Sequence, residues 1–251
     1  MNTPAKNLLV TGASRGIGAA TALRAAEAGW DVAVHYSRHA RAAEDVAAGV
    51  RARGRRACIV QADVADEAQV EAMFRQVDVV LGRLAGLVNN AGIVDVALRL
   101  DEMSAARIRR LFDVNVVGSF TCAREAVRRM STRHGGAGGA IVNLSSAAAR
   151  VSSPGIYLDY SATKAAIDNF TLGLAREVAE EGIRVNGVRP GIIDTEIHAS
   201  SGMLQRAQAA VAQIPLQRMG TADEVAQAIV FLLSDASSYT TGATLDVSGG
   251  R

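Results

Sequence analysis

Tyr160 and Lys164 stand four residues apart in the stretch YSATK, a spacing that puts both side chains on one face of a helix. The chain has 27 lysines and arginines, yet lysine occurs only at Lys6 and Lys164. A phenol with an ordinary pKa of about 10 offers little phenolate at neutral pH. An ammonium about 4 Å away at an effective dielectric of ~20 is worth up to ~4 kcal/mol, roughly three pKa units before desolvation. The expectation is a tyrosine able to donate or accept a proton near pH 7. Arginine would bring the same charge, but it cannot give up a proton, and its planar fork is bulkier than an ammonium able to bond ribose hydroxyls.

Reduction of a carbonyl needs a second group to hold the developing alkoxide. The stretch AIVNLSS ends a predicted strand with Ser145 and Ser146, at the edge where open α/β sheets place ligands. One of these hydroxyls could bond a substrate oxygen beside Tyr160. The competing reading is a pair of serines that only cap the strand end.

Near the N-terminus, TGASRGIG places Gly12, Gly16 and Gly18 around Ser14, Arg15 and Ile17. A strand running into a glycine-rich turn and then a helix lets backbone approach a pyrophosphate, with the helix N-terminus facing the negative charge. The spacing is not GxGxxG, and no Lys-Ser/Thr pair follows to make a P-loop. A dinucleotide site predicts a ribose-reading side chain at the end of the second strand. Tyr36-Ser37-Arg38 stands there instead of an acid. Arg38, helped by Arg15 and the Ser37 hydroxyl, suits a 2′-phosphate, so NADP is expected over NAD.

These residues need elements to hold them. Apolar runs at 7–11, 31–36, 57–62, 86–90, 140–144, 184–188 and 244–248 read as strands. Segments such as 19–29, 67–81 and 165–182 repeat apolar residues at three and four and read as helices. Alternation of the two implies a single α/β domain over 1–251, with a doubly wound parallel sheet of about seven strands and helices on both faces. The glycine-rich 131–140 reads as a surface loop, and 192–215, without strand pattern, as a substrate loop or lid.

At 251 residues with 49% hydrophobic content, the chain can bury a full core. A formal net charge of +2 is spread over arginines with acids between them, so no nucleic acid is implied. Cys58 and Cys122 lie in apolar stretches, with no CxxC pair and no cluster at metal-ligand spacing. They read as buried free thiols suited to a reducing compartment. No metal is expected. No apolar stretch is long enough for a signal core or a membrane span, and the expectation is a cytoplasmic protein.

TGASRGIG, NNAG at 89–92, Asn115 within DVNVVGSF, the NLSS serine, YSATK and RPG at 189–191 together resemble the short-chain dehydrogenase/reductase family, in that family's order and over essentially the whole chain. The resemblance implies a Rossmann fold with Tyr160 as general acid/base. Lys164 would lower its pKa and bind the nicotinamide ribose, Ser146 would hold the substrate oxygen, and Asn115 would hold a water in the proton relay. Gly12, Gly16, Ile17 and Gly18 would line the pyrophosphate. Asp63-Val64 would meet the adenine, and Asn90-Ala91-Gly92 the adenosine ribose. Pro190, Gly191, Ile193 and Thr195 would border the nicotinamide and its phosphate. ARVSSPGIYLDY puts one residue more between serine and tyrosine than many members have, and places Ile156, Tyr157 and Leu158 near the expected substrate mouth.

The 3-oxoacyl-carrier-protein reductase and sugar dehydrogenase branches are the ones the chain is most similar to, which implies a small carbonyl or alcohol substrate and a homotetramer. An acidic carrier protein could meet Arg124, Arg128, Arg129 and Arg133 on one helix; the same arginines also read as a solvated face. The function of a different class is a non-catalytic NADP-binding sensor or scaffold, which needs none of the proton chemistry.

Overall fold

Strands buried on both faces need nearly continuous apolar runs, and all seven runs become strands of one parallel sheet. A computed structural model describes residues 6–195 and 210–251. Its strands, in chain order, are β1 (Lys6–Val10), β2 (Trp30–Tyr36), β3 (Ala57–Gln61), β4 (Leu84–Asn89), β5 (Gly139–Leu144), β6 (Ile183–Pro190), β7 (Ile193–Asp194), β8 (Gly220–Thr221) and β9 (Thr244–Val247). The large sheet runs β3-β2-β1-β4-β5-β6-β9, and β7 pairs with β8 in a separate two-stranded ribbon. Registers such as Leu9 opposite both Ala33 and Leu87 keep apolar residues in line across the sheet. The strand order reverses between β1 and β4, which opens a crevice at their carboxyl ends.

The helices are α1 (Gly16–Glu27), α2 (Ala40–Ala52), α3 (Glu67–Val80), α4 (Ala105–Phe112), α5 (Gly118–Met130), α6 (Ala148–Val151), α7 (Leu158–Val178) and α8 (Ala222–Leu233). Successive strand residues face opposite sides, so the sheet feeds two cores. Leu8, Val10, Val32 and Val34 pack with Ala22 of α1, Ala43 and Ala47 of α2 and Ile229 of α8. On the other face, Leu9 and Ala33 pack with Val70 and Phe74 of α3, Ala126 of α5 and Ala175 of α7. The many alanines let these helices approach the sheet closely. Asp66 caps α3, Ser104 caps α4, and Thr221 with Glu224 forms a capping box on α8.

Several boundaries differ from the periodicity reading. Helix α1 starts at Gly16 instead of 19, because the glycine turn is itself the first helical turn. Helix α7 starts at Leu158 instead of 165, so Tyr160 and Lys164 both lie in its first two turns. Strand β4 begins at Leu84, and β6 runs on to Pro190. The 131–140 loop contains a 3-10 turn at Thr132–His134 and feeds β5 at Gly139. Most of the expected lid, residues 196–209, lies outside the described residues; around it stand β7 and a 3-10 turn at Ala210–Gln213.

The arginine patch is spoken for within the chain. Arg124 meets Glu67, Glu71 and Glu125; Arg128 meets Glu125; and Arg129 meets Asp78 and Glu125. Arg133, expected on the same helix, lies on the 3-10 turn beyond it and faces Glu181 at 3.5 Å. Arg128 and Arg133 stay largely exposed beside these acids, whereas Arg129 is mostly covered. Burial pushes the thiols of Cys58 and Cys122 up to about 11 and about 12, so both are protonated and unreactive at neutral pH. No helix among the described residues is long and apolar enough to cross a membrane.

Candidate active site

The crevice at the β1/β4 reversal is a cleft of about 520 Å³. Gly12, Ser14, Arg15, Gly16 and Ile17 form one wall, and Asn90, Ala91 and Gly92 the facing one. Gly12 sits at φ +62°, and a β-carbon on it would stand 2.9 Å from the Ala91 Cα. On Gly18 a β-carbon would fall 2.5 Å from the Gly12 carbonyl oxygen. The two loops can close on each other only without side chains there. Polar stitches complete the junction: the Thr11 hydroxyl accepts from the backbone N–H groups of Asn90 and Ala91, both at 2.9 Å. The Asn90 amide donates to the Thr11 and Gly12 carbonyls at 2.8 and 3.0 Å. The Asn90 side chain is thereby committed to the loop, and its stretch presents backbone to the cleft.

Helix α1 has no side-chain cap at Arg15, so its first-turn N–H groups face the cleft mouth without an internal acceptor. Ser37, Arg38, Asp63, Val64 and Thr195 also line the cleft. Arg15 and Arg38 are exposed and have no ion-pair partner among the described residues. A backbone cradle that a Cβ would fill and an uncapped helix start make a donor set that fits the pyrophosphate of a dinucleotide. Pro190 and Gly191 lie against the segment that follows β5 and against β9, through Ala147 N–H to the Pro190 carbonyl and Gly191 N–H to the Val247 carbonyl. The Ile193 side chain is buried in the core and does not line the cleft.

At the β5 end the two serines part company, because consecutive residues of an extended strand point to opposite sides. Ser145 is buried and donates to the Lys164 carbonyl at 3.1 Å. Ser146 is half-buried; its hydroxyl accepts from Ala148 N–H and faces the Tyr160 phenol. Of the two expected candidates, only Ser146 points at Tyr160.

Lys164 is buried, and its ammonium donates to the Leu144 carbonyl at 2.7 Å while lying 5.7 Å from the centroid of the Tyr160 ring. Burial lowers its pKa to about 8, with the Asp168 carboxylate opposing the shift. The effect on Tyr160 runs against the charge-only expectation. Burial raises the phenol above its ordinary value, and the Ser146 hydroxyl draws it partly back. Desolvation, left out of the sequence arithmetic, dominates.

Asn115 sits in a π-helical segment, Asp113–Val117, between α4 and α5. Its amide accepts from Ile93 N–H at 2.8 Å and donates to the Ile93 carbonyl and the Thr163 hydroxyl. Such wide turns recur at functional sites. Through Thr163, which donates to the Tyr160 carbonyl at 2.7 Å, Asn115 is tied to the tyrosine's own helical turn.

Two residues of the site escape sequence reasoning. His35, buried on β2, accepts from Gly12 N–H through Nδ1 at 2.8 Å, and its Nε2–H donates to the Ala62 carbonyl at 3.1 Å. It joins the glycine loop to the end of β3 as a neutral ring, and burial pushes its pKa down. A histidine inside the apolar run DVAVHY was the available signal. Arg110 lines the cleft and holds Asp63 at 2.9 Å; nothing in its local sequence separates it from its neighbours Arg107 and Arg109.

A family model described as Enoyl-(Acyl carrier protein) reductase matches residues 12–251. An Escherichia coli protein named uncharacterized oxidoreductase YgfF is 53% identical, over 97% of this chain and 98% of that protein. The 3-oxoacyl-[acyl-carrier-protein] reductase FabG of Staphylococcus aureus is 41% identical, over 98% and 97% respectively. The crystal structure of a short chain dehydrogenase from Burkholderia cenocepacia in complex with NADP superposes with a TM-score of 0.90 at 37% identity, covering 98% of this chain and 97% of that one.

Proposed function

The chain belongs to the short-chain dehydrogenase/reductase family and is an NAD(P)-dependent oxidoreductase acting on CH–OH and C=O groups; from that premise we propose that it uses NADP and that Tyr160 is its general acid/base. The observation that carries the proposal is the meeting of Tyr160, Ser146 and Lys164 next to the cleft wall, where a β-carbon on Gly92 would stand 3.6 Å from the Lys164 ammonium.

Gly12, Ser14, Gly16, Ile17 and Gly18 would hold the pyrophosphate on backbone N–H groups, with Asp63, Val64, Asn90, Ala91 and Gly92 beside the adenosine. Pro190, Gly191 and Thr195, with the backbone of Ile193, would border the nicotinamide end. Arg15, Ser37 and Arg38 would receive a 2′-phosphate. The nicotinamide, when bound, supplies or accepts the hydride.

The rest of the chemistry is this chain's own. In reduction, the Tyr160 phenol, kept protonated by burial, donates its proton to the carbonyl oxygen. Ser146 bonds the same oxygen as charge develops on it. Lys164, with a pKa of about 8, is charged at neutral pH and offsets the phenolate that proton donation leaves behind. Asn115 fixes the turn that carries the tyrosine and would hold a relay water.

The test is NADPH oxidation against acetoacetyl thioesters, diketones, aldoses and quinones, with NADH in parallel. Turnover with NADPH that Tyr160→Phe abolishes, while NADPH binding persists, is expected. Tight NADPH binding without turnover on any carbonyl would favour a sensor. We also infer self-association, to a homotetramer: Val117 and Phe120 are about half exposed, and Phe120 stacks on Phe170 at 3.8 Å on the same outer face. A monomer mass in gel filtration would refute that part.

A further inference from the structure

Asp159 is the residue before Tyr160, and its carboxylate is almost wholly buried, with 1% of the side chain exposed. Its partner Arg107, on α4, is 7% exposed. Arg107 Nε donates to Asp159 Oδ2 at 2.7 Å, and Nη2 reaches Oδ1 at 3.4 Å. A third guanidinium donor, Nη1, bonds the Val96 carbonyl at 2.7 Å. On the other side, Asp159 Oδ1 accepts from the Tyr160 backbone N–H at 2.9 Å. One buried ion pair thus joins three things: α4, the loop after β4, and the first turn of the helix that presents the phenol.

Each join is where positional error would reach the chemistry. Tyr157, the residue that opens α7, gives no side-chain cap, so the Asp159 carboxylate supplies an acceptor within that uncapped turn. The loop after β4 starts at the cofactor cleft with Asn90, Ala91 and Gly92 and clamps Asn115 through Ile93 before it reaches Val96. A second tie, Leu98 N–H to the Ile156 carbonyl at 3.1 Å, binds the same loop to the segment preceding α7. Two buried charges are a costly way to fasten a helix, and apolar packing would hold it at least as well. What the pair adds is direction: a fork fixed in a plane, bound at both oxygens and at a third acceptor.

We propose that Arg107 and Asp159 are positioning residues that fix the Tyr160 phenol relative to the loop carrying Val96, and so set the turnover step more than cofactor binding or fold stability. The inference rests on the reading of Tyr160 as the general acid/base. Neither residue touches the reacting atoms.

Asp159→Asn is the first test, since its amide oxygen can still accept from Tyr160 N–H while the charge pairing is lost. With NADPH and the best carbonyl of the panel, kcat falls on the order of 10²-fold, as expected for a small misplacement of an acid. KM for NADPH stays within about twofold. A spectrophotometric phenolate titration, taken as the difference from the same variant carrying Tyr160→Phe, moves down toward the ordinary phenol value as water reaches the loosened turn. The double variant Arg107→Met/Asp159→Leu replaces the pair by apolar side chains and keeps the fold testable if the single variant is unstable. Its Tm recovers while its kcat does not. Recovery of kcat together with Tm would overturn the proposal, as would an unchanged kcat in Asp159→Asn. Should the wild-type chain turn over no carbonyl, the reading of Tyr160 fails separately. The titration still decides this inference, and an unmoved Tyr160 in Asp159→Asn overturns it.

Discussion

The Lys164 ammonium lies over the Tyr160 ring, 5.7 Å from its centroid, and gives its 2.7 Å hydrogen bond to the Leu144 carbonyl instead of to the phenol. Both groups are desolvated, and burial drives them in opposite directions: the phenol up, the ammonium down to about 8. Each is thereby biased toward its uncharged form.

That bias has a stability signature. The folded chain holds Lys164 at about 8 against an ordinary 10.5, so the unfolded chain binds the extra proton between those values, and stability rises as pH climbs through that window. Below about 8 the whole penalty is present, on the order of 3 kcal/mol. Lys164→Met is expected to stabilise the protein at pH 7 by about 1–2 kcal/mol, after the lost hydrogen bond is deducted, while abolishing turnover. Chemical denaturation and NADPH oxidation on one preparation check both. In the wild type, reduction should fall as pH rises through about 8 and the charge beside the phenol is lost.

The two serines separate cleanly by mutation. Ser146→Ala is expected to lower kcat about 10²–10³-fold with little change in Tm, since its hydroxyl faces Tyr160. Ser145→Ala loses a buried hydrogen bond to the Lys164 carbonyl and should cost about 1 kcal/mol of stability with a far smaller effect on kcat. Steady-state kinetics alongside urea melts distinguish them.

Cofactor choice should follow Arg38. Arg38→Ala is expected to weaken NADPH binding about tenfold and leave NADH binding unchanged, because only a 2′-phosphate would meet the guanidinium. Titration of each cofactor by fluorescence measures the difference. A wild-type chain that prefers NADH would refute the assignment.

His35 predicts a loss on the acid side. Its ring is neutral in the fold, accepting from Gly12 N–H, and its pKa is depressed by burial below the ordinary 6.5. The unfolded chain therefore takes up the proton first, and stability falls as pH drops below about 6.5. His35→Leu, which leaves Gly12 N–H without an acceptor, should weaken NADPH binding more than it lowers Tm at pH 7. It should also flatten the acid limb of the Tm–pH curve. A limb unchanged in the variant would assign the acid loss to other groups.

Local pattern alone determined much of this protein. Strands buried on both faces must be apolar throughout, so β1 to β6 and β9 could be read from runs such as NLLV and AIVNL, and their alternation with helices implied the doubly wound sheet. The spacing of Tyr160 and Lys164 on one helical face and the glycines of TGASRGIG were equally local facts. Sheet order and burial decided the rest, and both arise from contacts between residues far apart in the chain. Which serine faces the phenol depended on how β5 meets α7. Arg124 and Arg129 of α5 were spent on acids of α3, a pairing invisible along either helix. His35 and Arg110 joined the site because β2 and α4 end beside β3. Even the sign of the Tyr160 shift needed the fold, because Coulomb attraction follows from residue types and spacing, whereas the desolvation that outweighs it exists only once the chain has closed around the ring.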